Sequence, residues 1–201
     1  CLTQQPNDLT ALQMRAKCLR KLNRYPDYLA DTERASTLAP ADPLACNNVG
    51  DALVCLGRHA EALSWFDRAL SLQPGMIEVL LNKGFALLQL RRFADAADVY
   101  QKILAIDPGN AKAAWQLAHV ELQCGDYVSG WARREARWNM PDFSPEYPRF
   151  TAPKWLGNED ISGKTILIEE DEGFGDTIQF ARYIPQVAAR GAKVILVVRE
   201  A

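Results

Sequence analysis

Residues 43–76 read PLACNNVGDALVCLGRHAEALSWFDRALSLQPGM, and residues 77–110 read IEVLLNKGFALLQLRRFADAADVYQKILAIDPGN. Laid one over the other, the strings match in kind: Gly50 over Gly84, Ala62 over Ala96, Phe66 over Tyr100, Pro74 over Pro108. Extending the register both ways, Pro6, Pro40, Pro74 and Pro108 recur every 34 residues. Units therefore begin at Leu9, Pro43, Ile77 and Ala111. Position 8 of each unit holds Ala16, Gly50, Gly84 and Ala118, and position 20 holds Tyr28, Ala62, Ala96 and Gly130. Position 24 holds Thr32, Phe66, Tyr100 and Arg134. Two antiparallel helices approach closely only where the crossing side chains are small, and a bulky plug then fills the space beside them. The closing proline has no N–H and disfavours a helical residue before it, so it ends the second helix. The middle units fit this scheme best, and the outer two are degenerate, as terminal repeats often are.

A fixed period of 34 residues with these signature positions is the tetratricopeptide repeat, two helices per unit. The period predicts helices near residues 9–22, 26–38, 43–56, 59–72, 77–90, 93–106, 111–124 and 127–138. Pro26 and Pro43 fall in first turns, which tolerate proline. Gly57 and Gly125 fall just past first helices, where a left-handed cap is wanted. Cys1–Pro6 has the spacing of a second helix ending, so the chain is expected to start inside an earlier unit. The expected organisation is a partial repeat over 1–8, then repeats over 9–42, 43–76, 77–110 and 111–138.

Composition narrows the function classes. The 201 residues are 48% hydrophobic and 24% charged, ordinary for a globular chain. A formal net charge of −2 supplies no global field toward nucleic acid or an anionic membrane. Arg133, Arg134 and Arg137 lack the basic-and-aromatic interleaving of single-strand binders, and no nucleic-acid partner is expected. No apolar run approaches the ~18 residues of a membrane span. Five cysteines without a C-x-x-C pair argue against a disulfide framework and a zinc site. They point to a reduced, cytoplasmic setting.

First helices of such repeats line a concave face, where a protein or peptide partner is expected. By the period that face carries Gln13, Lys17, Asn47, Asn48, Asp51, Leu81, Asn82, Phe85, Trp115, Gln116 and His119. Asn48 and Asn82 share one position, with Gln116 in register a unit later and Met14 breaking the series. Stacked amides can donate to and accept from a peptide backbone without reading its side chains. That series resembles the asparagine ladder of the repeats in O-linked N-acetylglucosamine transferases; the alternative is that these amides are merely solvated.

After Trp138 the helical period stops. Residues 139–163 carry Pro141, Pro145, Pro148 and Pro153 together with Phe143, Tyr147, Phe150 and Trp155. That is too aromatic for a floppy linker, and an ordered strap is expected. From 164 onward a β-branched strand (Lys164 to Glu170) leads through a Gly173-Phe-Gly-Asp176 turn into a helical stretch, Thr177–Arg190, interrupted by Pro185. A second strand follows over Lys193–Val198. This order is the opening unit of a doubly wound α/β domain. The expected fold class is therefore mostly α, a repeat solenoid followed by the first β-α-β unit of such a domain, cut short.

The turn fails two phosphate motifs: Ile178 stands where a dinucleotide fingerprint needs Gly, and no Gly-Lys-Ser/Thr is present. Glu169, Glu170, Asp171 and Glu172 would also repel a pyrophosphate. Asp176 with Gln179 three residues on reads as a capping box; a general base is the competing reading.

The run Trp155-Leu-Gly, Gly163-Lys-Thr-Ile-Leu-Ile and Glu172-Gly-Phe-Gly-Asp-Thr-Ile-Gln-Phe-Ala-Arg-Tyr-Ile-Pro185 resembles bacterial proteins in which tetratricopeptide repeats precede a heptosyltransferase-like, GT-B glycosyltransferase domain. The Gly125–Trp138 stretch is similar as well. The resemblance implies that residues 164–201 begin the acceptor half of that domain, that Asp176 is the base deprotonating the acceptor hydroxyl, and that Arg182 pairs with the acidic turn or an anionic acceptor. It implies a nucleotide-sugar donor for the full-length protein, held outside this stretch, with no cofactor or metal in it. A scaffold that only assembles proteins is the alternative.

Overall fold

The computed structural model describes residues 7–140, 152–169 and 174–197, without the side chains of Phe174 and Asp176. The chain divides into two compact units, Cys1–Tyr147 and Pro148–Ala201. The partial repeat expected over 1–8 lies almost wholly outside the described residues, as does the aromatic part of the strap, 141–151.

The first unit is four helix pairs. They are α1 (Leu9–Lys21) with α2 (Tyr25–Leu38), α3 (Pro43–Cys55) with α4 (His59–Leu72), α5 (Ile77–Gln89) with α6 (Phe93–Ile106), and α7 (Ala111–Gln123) with α8 (Tyr127–Arg134). Every helix except α8 ends within about a residue of its expectation. α8 stops early, and a 3-10 turn over Glu135–Asn139 completes the stretch and packs against α7.

Capping repeats with the same period. Three of the four first helices start after Asp8, Asp42 and Asn110, whose side chains accept from the backbone N–H of Ala11, Leu44 and Ala113 at 3.1, 2.9 and 3.0 Å, while α5 follows Met76 without a side-chain cap. Those bonds satisfy N–H groups that a helix start leaves without partners. They end in a left-handed residue, and Gly57 (φ 74°) and Gly125 (φ 87°) adopt it as expected. The equivalent Asn23 and Arg91 adopt it without being glycine, at φ 56° and 57°. In all four units the next N–H turns back onto the helix end, Arg24 to Leu19, Arg58 to Leu53, Arg92 to Leu87 and Asp126 to Glu121, at 2.8–2.9 Å. This closes the Schellman motif and turns the chain sharply into the second helix.

The tight crossings are where the period put them. A Cβ added at Gly50 would lie 2.4 Å from the Phe66 ring, and one at Gly84 would lie 2.6 Å from the Tyr100 ring. Phe66 and Tyr100 are fully buried, each contributing ~1.5–3 kcal/mol of apolar burial. Around them form two core clusters, one centred on α3 and α4, the other on α5 and α6. The outer units solve the same crossing differently. In the first, bulk moves back one turn: Tyr28 is 4% exposed, and Thr32 is small and hydrogen-bonds to the Tyr28 and Leu29 carbonyls. In the fourth, Gly130 crosses against Leu122, and the Arg134 guanidinium lies over the rings of Trp115 and Trp131 at 5.4 and 5.2 Å.

The second unit holds β1 (Thr165–Glu169), α9 (Phe174–Ala181), α10 (Ile184–Ala189) and β2 (Lys193–Val197). The strands pair in parallel, from Thr165 opposite Lys193 to Glu169 opposite Val197. Strand–helix–strand order is as expected, and among the described residues the sheet has two strands; a doubly wound domain is not established by them. The helical stretch expected over Thr177–Arg190 with an interruption at Pro185 is two helices, broken just before it at Arg182–Tyr183, with Pro185 in the first turn of α10 where its missing N–H costs nothing. Ile161 and Ala192 are buried, whereas Leu167, Ile195, Leu196 and Val197 are about two-fifths exposed. The described part of the strap is tied down by Arg190, which donates to the carbonyls of Gly157 and Glu159 and stacks over Trp155.

Candidate functional site

α3 lies against α5 and α5 against α7, and no two second helices approach one another as extensively. First helices of neighbouring units thus touch along one side of the array. Between α1, α3 and α5 that side holds an open concavity of about 370 Å³ lined by Arg20, Asp51, Val54, Cys55, Asn82 and Phe85. The repeat explains the lining. Asp51, Val54 and Cys55 sit at positions 9, 12 and 13 of the second unit, one face of a helix at i, i+3 and i+4. Phe85 is position 9 of the third unit, and Arg20 is position 12 of the first.

Of the residues expected on this face, Asp51, Asn82 and Phe85 come together in the concavity. Asp51 is already engaged. It accepts from Arg20 Nε and Nη2 at 2.6 and 3.2 Å and from the Tyr28 hydroxyl at 3.0 Å. The paired carboxylate holds the Arg20 guanidinium more firmly protonated, and burial next to that carboxylate pushes the Tyr28 hydroxyl pKa well up. Burial, with Asp51 adding, also raises the Cys55 thiol, so Cys55 is not an activated nucleophile. Asp51 thus lines the concavity as an already paired carboxylate.

Among the amides, one bond crosses the register. Asn82 Nδ2 donates to Oδ1 of Asn47 at 3.0 Å, and Asn47 is buried, so the bond runs diagonally instead of along the series Asn48, Asn82, Gln116. Asn48 and Gln116 are half-buried, and no hydrogen bond joins them to Asn82. That bond joins position 5 of the second unit to position 6 of the third. Phe85 is 38% exposed and meets the edge of the His59 ring at 6.4 Å. Trp115 stands apart from the concavity, edge-on to His119 with ring centres 4.5 Å apart and under Arg134. Arg20 is the residue that sequence reasoning missed. Its signal was present: it lies three residues after Lys17, on the same face.

In the second unit, α9 begins at Phe174, which puts Asp176 inside the first turn rather than at the cap. The capping-box reading is therefore corrected; a carboxylate there is still favoured by the helix dipole. The Asp176 side chain and the acidic turn Glu170–Gly173 lie outside the described residues. Arg182 is exposed and lies over the Tyr183 ring at 5.3 Å. Among the described residues no three His, Cys, Asp or Glu side chains gather as a metal site, and no helix is long and apolar enough to cross a membrane.

Known proteins agree with this fold. Tetratricopeptide-repeat family models match residues 43–76 and 87–129. Protein FlbA of Caulobacter vibrioides is 35% identical over 72 residues, which is 35% of this chain and 12% of FlbA. This chain thus spans only a small part of the curated relative it matches. MamA superposes with a TM-score of 0.62 at 17% identity, covering 69% of this chain and 81% of MamA. PilW, a type IV pilus biogenesis factor, gives 0.62 at 24%, covering 69% and 66%. The first repeat domain of Spaghetti (RPAP3), solved with the HSP90 peptide SRMEEVD, gives 0.56 at 20%, covering 58% and 93%. At these identities the structural likeness speaks for the fold alone. By its period, its crossings and these matches, the helical part of the chain is an array of tetratricopeptide repeats, a scaffold suited to protein binding.

Proposed function

We propose that the array holds an extended segment of a partner protein along its first-helix side, with Asn48, Asn82 and Gln116 meeting the segment's backbone and the concavity beside Phe85 taking one of its side chains. The observation that carries this reading is the concavity itself, an apolar wall of Val54 and Phe85 facing amide and guanidinium groups. The peptide seated on the RPAP3 repeats supports it by analogy of fold. Asn82→Ala is a poor test, because it strands the buried Asn47 amide at a cost of ~1–3 kcal/mol. The informative variant is Asn48→Ala with Phe85→Ala, tested on peptides selected from a random library against the native chain. Selected peptides should lose about tenfold in affinity while the thermal melt stays nearly unchanged. Peptides indifferent to that variant but lost on Glu33→Lys with Asp67→Lys, on the second-helix side, would refute the reading.

The finer part of the proposal concerns the second unit. We infer a glycosyltransferase in which the repeats recruit a protein or polymer acceptor and the α/β part transfers a sugar from a nucleotide-sugar donor. What supports it is the parallel strand–helix–strand order together with the resemblance of the Glu172–Pro185 run. In that reading the acceptor hydroxyl gives its proton to the Asp176 carboxylate as its oxygen bonds the anomeric carbon, and the nucleoside diphosphate leaves with the electrons of the broken bond. Asp176→Asn cannot take the proton and should slow transfer ~10²–10⁴-fold in the full-length protein with little change in its melt. Undiminished turnover in that variant would leave the alternative, a non-catalytic scaffold.

A further inference from the structure

Neighbouring units hold one another through the same few positions. Leu63, at position 21 of the second unit, packs against the core cluster built from α5, α6 and α7. Val79 and Ala86, at positions 3 and 10 of the third unit, pack back into the cluster built on the first two units. His59, at position 17 of the second unit, meets Phe85, at position 9 of the third, with ring centres 6.4 Å apart. Stacking thus joins positions 17 and 21 of one second helix to positions 3, 9 and 10 of the next first helix. Inside the array these positions are covered: Ala45 and Ala52, Val79 and Ala86, Ala113 and Val120 are all buried. On α1 the same positions hold Ala11, half-buried, and Cys18, exposed. On α8, positions 17 and 21 hold Tyr127 and Trp131, 62% and 51% exposed, and Val128 beside them is more exposed still. Two aromatic rings one helical turn apart, next to a valine, make a contiguous apolar patch of the kind that marks an interface.

We propose that this face of α8 takes a second copy of the chain, whose α1 stacks on it as α5 stacks on α4 within one molecule. The contact continues the packing between neighbouring units in the same register. Bulk and space also match, because small residues, Ala11 and Cys18, stand on α1 where two large rings stand on α8. The pairing of position 17 with position 9, made by His59 and Phe85, carries Tyr127 to Lys17 of the second copy. Lys17 is exposed, and an ammonium group over a tyrosine ring is an attractive contact. Two different faces meet here, so the contact does not close on itself, and the product is an open chain of molecules rather than a symmetric dimer. It uses the ends of the array and not its first-helix side, and so stands independently of the partner reading above.

The test is analytical ultracentrifugation of the full 201-residue chain, whose mean mass should rise with concentration past that of a dimer. Trp131→Glu closes the α8 face and Cys18→Glu closes the α1 face, each at an exposed side chain. Either variant alone should be monomeric, because each lacks one of the two faces. Mixed in equal amounts, they should form a dimer and nothing larger, from the one open α8 face and the one open α1 face. Val128→Arg, which leaves the stacking of Arg134 on Trp131 in place, should behave as Trp131→Glu does. Circular dichroism melts check that each variant is folded. Tyr127→Lys reads the register: it sets two ammonium groups against each other and should weaken association at least about tenfold, and adding Lys17→Asp should recover most of the loss. A native chain that stays monomeric at every concentration would overturn the inference. So would association that survives Cys18→Glu but not Trp131→Glu, which would mean that two α8 faces meet each other. A mixture of the two variants that stays monomeric, or a Tyr127→Lys chain that associates like the native one, would overturn it as well.

Discussion

At Gly84 an added methyl would sit 2.6 Å from the Tyr100 ring, and the equivalent positions of the first unit hold Ala16 and Thr32 instead. Size at one position is thus matched to size at the other, and neither residue is free to vary alone. Gly84→Ala should overpack the crossing and destabilise by ~1–3 kcal/mol. Tyr100→Thr alone should leave a cavity and cost about as much as other large-to-small core changes, ~3–5 kcal/mol. Together they recreate the pairing of the first unit, so the double variant should be less destabilised than the sum by ~1 kcal/mol or more. Urea melts of the four proteins in the cycle would check this. Strict additivity would show that the ring and the glycine do not share the space.

The second helices begin with a device the prolines do not reveal. Arg24, Arg58 and Arg92 precede α2, α4 and α6, and each pairs with the acid three residues on, Asp27, Glu61 or Asp95, at 2.6–2.7 Å. The acid sits in the first turn, where the helix dipole favours it, and the arginine steadies it in water. The fourth unit replaces this pair with Asp126, which accepts from the Ser129 backbone N–H at 3.1 Å. Hydrogen bonding from Ser129 holds the Asp126 carboxyl below the usual range. A carboxylate so depressed stabilises above its unfolded pKa, near 4, and loses that contribution as pH falls through the folded value. α8 should therefore lose part of its capping stabilisation in acid. Trp131 fluorescence, followed from pH 6 to pH 2.5, should report that step in the native chain. Asp126→Ala should weaken α8 already at neutral pH and remove the step; a step that survives the substitution would assign it to another group.

Across the whole array the two middle units hold the aromatic plugs, and the flanking units fill the same place with Thr32 and Arg134. Each unit of a solenoid is stabilised by its own packing and by its neighbours, so the ends should open first. Native-state hydrogen exchange should find the slowest amides in α3 to α6 and progressively faster ones in α1, α2 and α8. Uniform protection from α1 to α8 would mean that the array unfolds as one cooperative block.

Much of this was legible in the sequence. A period of 34 residues fixes helix positions, because proline, small crossing residues and left-handed caps act through local backbone sterics that each unit repeats. The boundaries of α1 to α7 followed from that period, and so did Gly50, Gly84 and Gly130 at the tight crossings. The tertiary structure alone decided which side chains meet between units. The stacking of one unit on the next pairs Asn82 with Asn47 instead of Asn48, and it delivers Arg20 and Tyr28 to Asp51. Such meetings depend on how helix pairs stack in space, and linear spacing carries no record of that. In the second unit, spacing gave strand, interrupted helix and strand, while the structure moved the break to Arg182–Tyr183 and the helix start to Phe174, which puts Asp176 inside α9.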